Sequence, residues 1–179
     1  MRTWIVAFWS FVVAQSDDRA FLGPITVSVI VTPLSLPASV LGNETALRFG
    51  RHRAITAVMV ASAAVALAIG LNVGSSPALL LALVLIYGFT IPADSGALTS
   101  GTTASAKPAY RGATLALHST VGFGLSALGG WGAGIALDAA GGPEQPAGWS
   151  ALFALLAAGV LFGPIALRWS RQGHIAQGQ

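Results

Sequence analysis

The chain has 179 residues, 54% of them hydrophobic and only 8% charged, with a mean hydropathy of +0.74. A water-soluble domain typically carries about 25% charged residues, so the composition excludes an ordinary aqueous surface and makes lipid the expected solvent. The formal charge of +3 comes from nine Lys and Arg spread over short connectors; that pattern reads as a topology signal and not as a nucleic-acid surface, and the lack of cysteine excludes a disulfide framework and thiolate metal sites.

A membrane helix needs about 20 mostly apolar residues to cross about 30 Å of hydrocarbon. The first apolar run, 3–15, is short and is closed by Ser16, Asp17, Asp18 and Arg19. It has one early arginine but no small-residue cleavage site leading into a soluble domain, so it reads as a retained membrane segment. The second segment, 20–41, is interrupted by Pro24, Pro33 and Pro37. The third covers 54–73, and the fourth runs over 78–103 with a break expected at Pro92. The glycine-rich fifth spans 113–137, and the sixth, 149–167, is flanked by Trp149 and Trp169, where interfacial aromatics are favoured. Turn chemistry marks the connectors 74–77, 107–112 and 141–146, and their shortness makes neighbouring helices antiparallel. The expectation is an all-α integral membrane fold: one domain, 1–171, built as a bundle of five full transmembrane helices plus one short N-terminal one, with a polar tail, 172–179.

The charges orient this bundle. With Met1 cytoplasmic, the inner connectors hold Arg2, Arg48, Arg51, Arg53, Lys107, Arg111, Arg168 and Arg171, eight of the nine basic residues. The outer connectors hold only Arg19, with Asp17, Asp18, Asp138 and Glu144. Inner connectors rich in Lys and Arg are the standard orientation signal, which predicts a multi-pass protein of the cell (inner) membrane with its C-terminus cytoplasmic.

The densest charge lies at 42–53, GNETALRFGRHR. Glu44 and Arg48 form an i, i+4 pair suited to a last helical turn. Gly50 can take the left-handed backbone that ends a helix tightly. Arg51 and Arg53 can then face carbonyls at a neighbouring helix C-terminus. The stretch resembles the cytoplasmic-loop signature of the major facilitator superfamily, Gly-x-x-x-Asp-Arg-x-Gly-Arg-Arg, in the weaker form found between helices eight and nine. Aligned on Gly50, the chain keeps Arg48, Gly50 and Arg51. Asn43 stands where the pattern has its first Gly, Leu47 where it has Asp, and His52 at the last basic position, with Arg53 just beyond. Leu47 removes the acid of the family's charge relay, and Glu44 offers a carboxylate one turn earlier. Residues 93–124 are also similar to the region of helices ten and eleven in bacterial members. The resemblance covers nearly the whole chain. It implies the second half of a two-lobed carrier, beginning inside helix seven and therefore N-terminally truncated. Its implied partners are a small-molecule substrate, membrane lipid, and the missing N-terminal half or a partner subunit.

Candidates for chemistry are few. Asp94 is the only acid inside a segment, and an ionisable residue in a membrane helix is a functional candidate by default. It can load and unload a proton, or it can cap a helix restarted after Pro92. His118, beside Ser119 and Thr120, can relay protons or hydrogen-bond across helices. Gly130 and Gly134 form a G-x-x-x-G pair, which reads as tight helix packing. Thr90, Ser95, Thr99, Ser100, Thr102, Thr103 and Ser105 crowd the inner half of the fourth segment, where they can hydrate a path or bond their own helix carbonyls. No phosphate-loop motif occurs, and Gly124-Leu125-Ser126-Ala127 lacks both the second glycine and the histidine partner of an intramembrane serine protease. Neither enzymatic activity, a cofactor nor a metal is therefore expected. The functional expectation is half of a secondary active transporter for a small solute, working by alternating access with proton coupling. The alternative is a half-sized membrane interaction protein without transport activity of its own.

Overall fold

The computed structural model describes residues 2–16 and 22–176, with side chains over 4–16 and 22–169. Six α-helices make up the bundle: α1 (Arg2–Gln15), α2 (Pro24–Phe49), α3 (Arg51–Leu71), α4 (Pro77–Ser105), α5 (Arg111–Ala139) and α6 (Pro146–Ala176). A short 3-10 turn, Pro108–Tyr110, leads into α5, and no strand occurs among the described residues. Helices α2 to α6 are long and apolar enough to cross a membrane. With 14 residues, α1 reaches only about 21 Å. The chain is thus all-helical and built as a multi-pass membrane protein. The expectations for Asp17, Asp18 and Arg19 lie outside the described residues, as do the side chains of Arg2 and Arg171.

Two expectations about the helices change. The breaks expected at Pro33, Pro37 and Pro92 do not form: α2 and α4 run unbroken through them. Proline removes one backbone bond, and helix neighbours and local adjustment absorb that loss in membrane helices. Asp94 therefore sits within a continuous helix and does not cap a restarted one. The connector expected over 42–53 is likewise helical except at Gly50. Hydropathy ends the second segment where Asn43 and Glu44 appear, but polar residues continue a helix readily once it leaves hydrocarbon. At 26 residues, α2 extends about 39 Å, well beyond the hydrocarbon thickness. For the same reason α6 continues past 167 as far as Ala176, into the expected tail.

The two ends of the bundle are packed differently. Near the end that the charge pattern predicts to be outer, Phe8 and Phe11 of α1 meet Trp149 and Phe153 of α6, with Phe8 to Phe153 at 5.0 Å and Phe8 to Trp149 at 5.3 Å between ring centroids. Tyr87 of α4 adds an edge contact to Phe153 at 6.2 Å. Trp149 is 1% exposed, so it is a core residue and not the interfacial anchor expected; Trp169, at 71%, keeps the exposure that role requires. Each buried indole N–H finds a carbonyl: Trp9 donates to Leu22 O at 2.7 Å and Trp149 to Pro143 O at 2.8 Å. Ser150 Oγ donates to Gly70 O at 2.6 Å and ties α6 to α3.

At the opposite end, which the charge pattern predicts to be inner, the core shrinks to Ala46, Ala54, Ile55 and Ala97. Helices α2 and α4 approach closely there because small residues recur every four positions on both. Ala38, Gly42 and Ala46 are buried on α2, and Ala93 and Ala97 face them on α4. A Cβ on Gly42 would run into the Ala93 carbonyl, and one on Gly96 would lie 2.5 Å from Ser39 O. Such small-x-x-x-small surfaces are how helices associate in lipid, where apolar burial itself gives no driving force.

Candidate functional site: a polar latch and an intramembrane carboxyl

Gly50 joins α2 to α3 as a single non-helical residue with φ +89° and ψ 130°. A side chain is disfavoured in that backbone region, so one glycine makes the whole turn. On one side of it, Arg48 Nε donates to Glu44 Oε1 at 2.8 Å across one helical turn. Both side chains are largely exposed, so the pair contributes only about 0.3–0.5 kcal/mol.

On the other side, Arg51 reaches across to α4. Its Nη1 donates to Ala97 O and to Ser100 Oγ, each at 3.1 Å. Ser100 Oγ in turn donates to Asn43 Oδ1 on α2 at 2.6 Å. The chain of bonds runs Arg51 to Ser100 to Asn43 and fastens α3, α4 and α2 at one point. Gly101 makes room for it, since a Cβ there would stand 2.7 Å from Arg51 Nη1. The charge is half-buried, and bonds to a charged donor are the stronger kind.

Arg51 thus meets a neighbouring helix, but at Ala97 O within α4 and not at that helix's C-terminus as expected. Arg53 does not join this network; it is exposed and lines a cleft toward α6. Asn43 and Ser100 carry the latch with Arg51, yet their sequence signal was faint. Asn43 looked like a mismatch to a motif and Ser100 like one hydroxyl among many.

The remaining hydroxyls of α4 mostly serve their own helix. Thr90, Thr102, Thr103 and Ser105 donate to carbonyls three or four residues back at 2.9–3.2 Å. Asp94 is half-buried, and its Oδ1 accepts from Ser95 Oγ at 3.3 Å. Among the described residues no cation pairs with it; the one ion pair is Glu44–Arg48. Eleven residues of helix separate Asp94 from Ser105, about 17 Å, which sets the carboxyl well inside the apolar span.

His118 lies in the first half of α5, half-exposed, and no hydrogen bond or ion pair joins it to Asp94 among the described residues. That half of α5 stands away from the bundle: Leu117 is 67% and Phe123 77% exposed. The glycines of α5 do not bring helix backbones together within this chain. A Cβ on Gly134 would stand 3.4 Å from the Trp4 ring and one on Gly130 4.0 Å from Trp4 Nε1, while Gly122, Gly124 and Gly129 face open space. Close approach belongs instead to Gly42 and Gly96, a role that the recurrence Ala38, Gly42, Ala46 opposite Ala93, Ala97, Gly101 signals in the sequence.

No group of three or more metal-ligating side chains forms among the described residues. Comparison with family models, with curated proteins and with solved structures returns no match to this chain.

Proposed function

We propose that the chain is the C-terminal half of a secondary active transporter for a small solute, related to the major facilitator superfamily and working by proton-coupled alternating access. The observation that carries this reading is the uncovered polar surface inside apolar helices. Asp94 and Ser95 on α4, with His118 and Ser119 on α5, lie within membrane-length helices and are not sealed by the rest of the chain. Lipid does not solvate such groups; a water-filled path or a second bundle does. In a two-lobed carrier that surface faces the other lobe across the substrate path. The latch at Asn43, Arg51 and Ser100 then holds the inner side of this half together while the lobes rock. Asp94 is the proton-carrying candidate and His118 a relay.

The second reading, a half-sized interaction protein without transport of its own, draws on the same uncovered face of α5. Native membranes separate the two. A species of about twice 18.1 kDa, or a stable complex with a second bundle, that takes up solute in proteoliposomes supports the transporter. In that intact carrier, Asp94→Asn is expected to abolish the pH dependence of uptake. Unchanged pH dependence removes Asp94 from the mechanism, and a complex that moves no solute leaves the interaction reading.

A further inference from the structure

A cleft of about 400 Å³ opens between the first turns of α3 and the last turns of α6. It is lined on its basic side by Arg53, His52 and Arg168 and farther along α3 by Thr56 and Val60, with Leu167 of α6 beside them. From Arg53 to Val60 the wall runs about 10 Å along α3, from the basic end of the bundle into its apolar span. Both arginines are exposed, and neither has a carboxylate partner among the described residues. Gly50 supplies no side-chain cap to α3, so the positive end of that helix adds to the field on the basic side.

A basic rim above an apolar wall matches one chemistry. We propose that this cleft binds an anionic phospholipid, with its phosphate between Arg53 and Arg168 and one acyl chain laid along Thr56 and Val60. A free phosphate uses the rim alone and leaves the apolar wall unused, whereas a zwitterionic lipid brings a cation to a site already basic. Basic pockets between helices at the inner membrane face are suited to such headgroups. The site rests on the membrane placement of α3 and α6 and not on transport.

The test is native mass spectrometry of the full chain in detergent, titrated with phosphatidylglycerol, phosphatidylcholine or inorganic phosphate. The chain is expected to retain phosphatidylglycerol in preference to phosphatidylcholine. Arg53→Gln and Arg168→Gln are each expected to weaken that binding about five-fold, and the pair roughly thirty-fold. Arg111→Gln, on the other inner connector, is expected to leave it unchanged. Val60→Trp fills the apolar half of the cleft at a position already 47% exposed; it is expected to weaken phosphatidylglycerol with both arginines in place. Equal retention of the two lipids by the unaltered chain would overturn the proposal. So would full phosphatidylglycerol binding by the double variant, or inorganic phosphate binding that phosphatidylglycerol does not displace.

Discussion

The two ends of this bundle, predicted from charge to be outer and inner, are closed by opposite means. The end predicted to be outer is filled by large rings, Phe8, Trp149, Phe153 and Tyr87, with the Trp149 indole N–H tied to Pro143 O. The inner end is closed by the near absence of side chains, Gly42 against Ala93 and Gly96 against Ser39, and by three polar groups. Separating the outer helices would strip contacts from several fully buried aromatic rings. Separating the inner ones uncovers alanines and glycines and breaks a few hydrogen bonds. Within the transporter reading, the rings and the latch each hold one end of this half together while the two lobes rock.

The contrast can be broken by subtraction at one end and addition at the other. Trp149→Ala is expected to have the largest effect, lowering stability by about 3 kcal/mol. That is the low end for an aromatic truncation in a core, because lipid accepts the released ring and only the cavity and the lost packing remain. Thermal unfolding in detergent reads it directly. Gly42→Val adds volume where only a backbone carbonyl can yield, and is expected to cost about 2 kcal/mol; a larger loss at Trp149 than at Gly42 preserves the ordering. Arg51→Met removes the charged donor from Ser100 Oγ and the Ala97 carbonyl, at about 1.5 kcal/mol. A double-mutant cycle with Ser100→Ala should show coupling between them; simple additivity would mean that the latch does not act as a unit. Glu44→Gln is expected to change the midpoint least, by about 0.3 kcal/mol or less and only at low salt, because the pair it breaks is exposed. If the variants at the Gly50 end destabilised the chain more than Trp149→Ala, the ordering of the two ends would be reversed.

Much of the architecture was legible because a bilayer reduces folding to length and hydropathy. Six helices and their order follow from apolar runs separated by Gly, Pro and charge. The helix ends were less legible. Polar Asn43 and Glu44 signal departure from hydrocarbon, not the end of a helix, so the stretch read as a loop is a single-residue turn at Gly50. Glycine density misled for a related reason. Gly122, Gly124 and Gly129 attract the eye, yet close packing needs small residues in register on two helices at once, as on α2 and α4. Asp94 and Arg51 stood out as charges, and the structure gives Arg51 defined partners. Ser100 could not be singled out, because whether a hydroxyl bonds its own helix or another depends on what lies opposite.

The most direct measurement is water access to the carboxyl position from which the transporter reading follows. The chain contains no cysteine, so Asp94→Cys creates a single reporter for a membrane-impermeant maleimide in membranes holding the native complex. Lys107→Cys, on the connector between α4 and α5, serves as the water-exposed control. Leu36→Cys, 74% exposed on an apolar face of α2, serves as the lipid-facing one. Reaction at position 94 from the aqueous phase, at a rate well above that at position 36, is the expected result and would identify the α4 face as lining a path. Labelling at position 94 that matches position 36, with only lipid-soluble reagents reaching either, would contradict it.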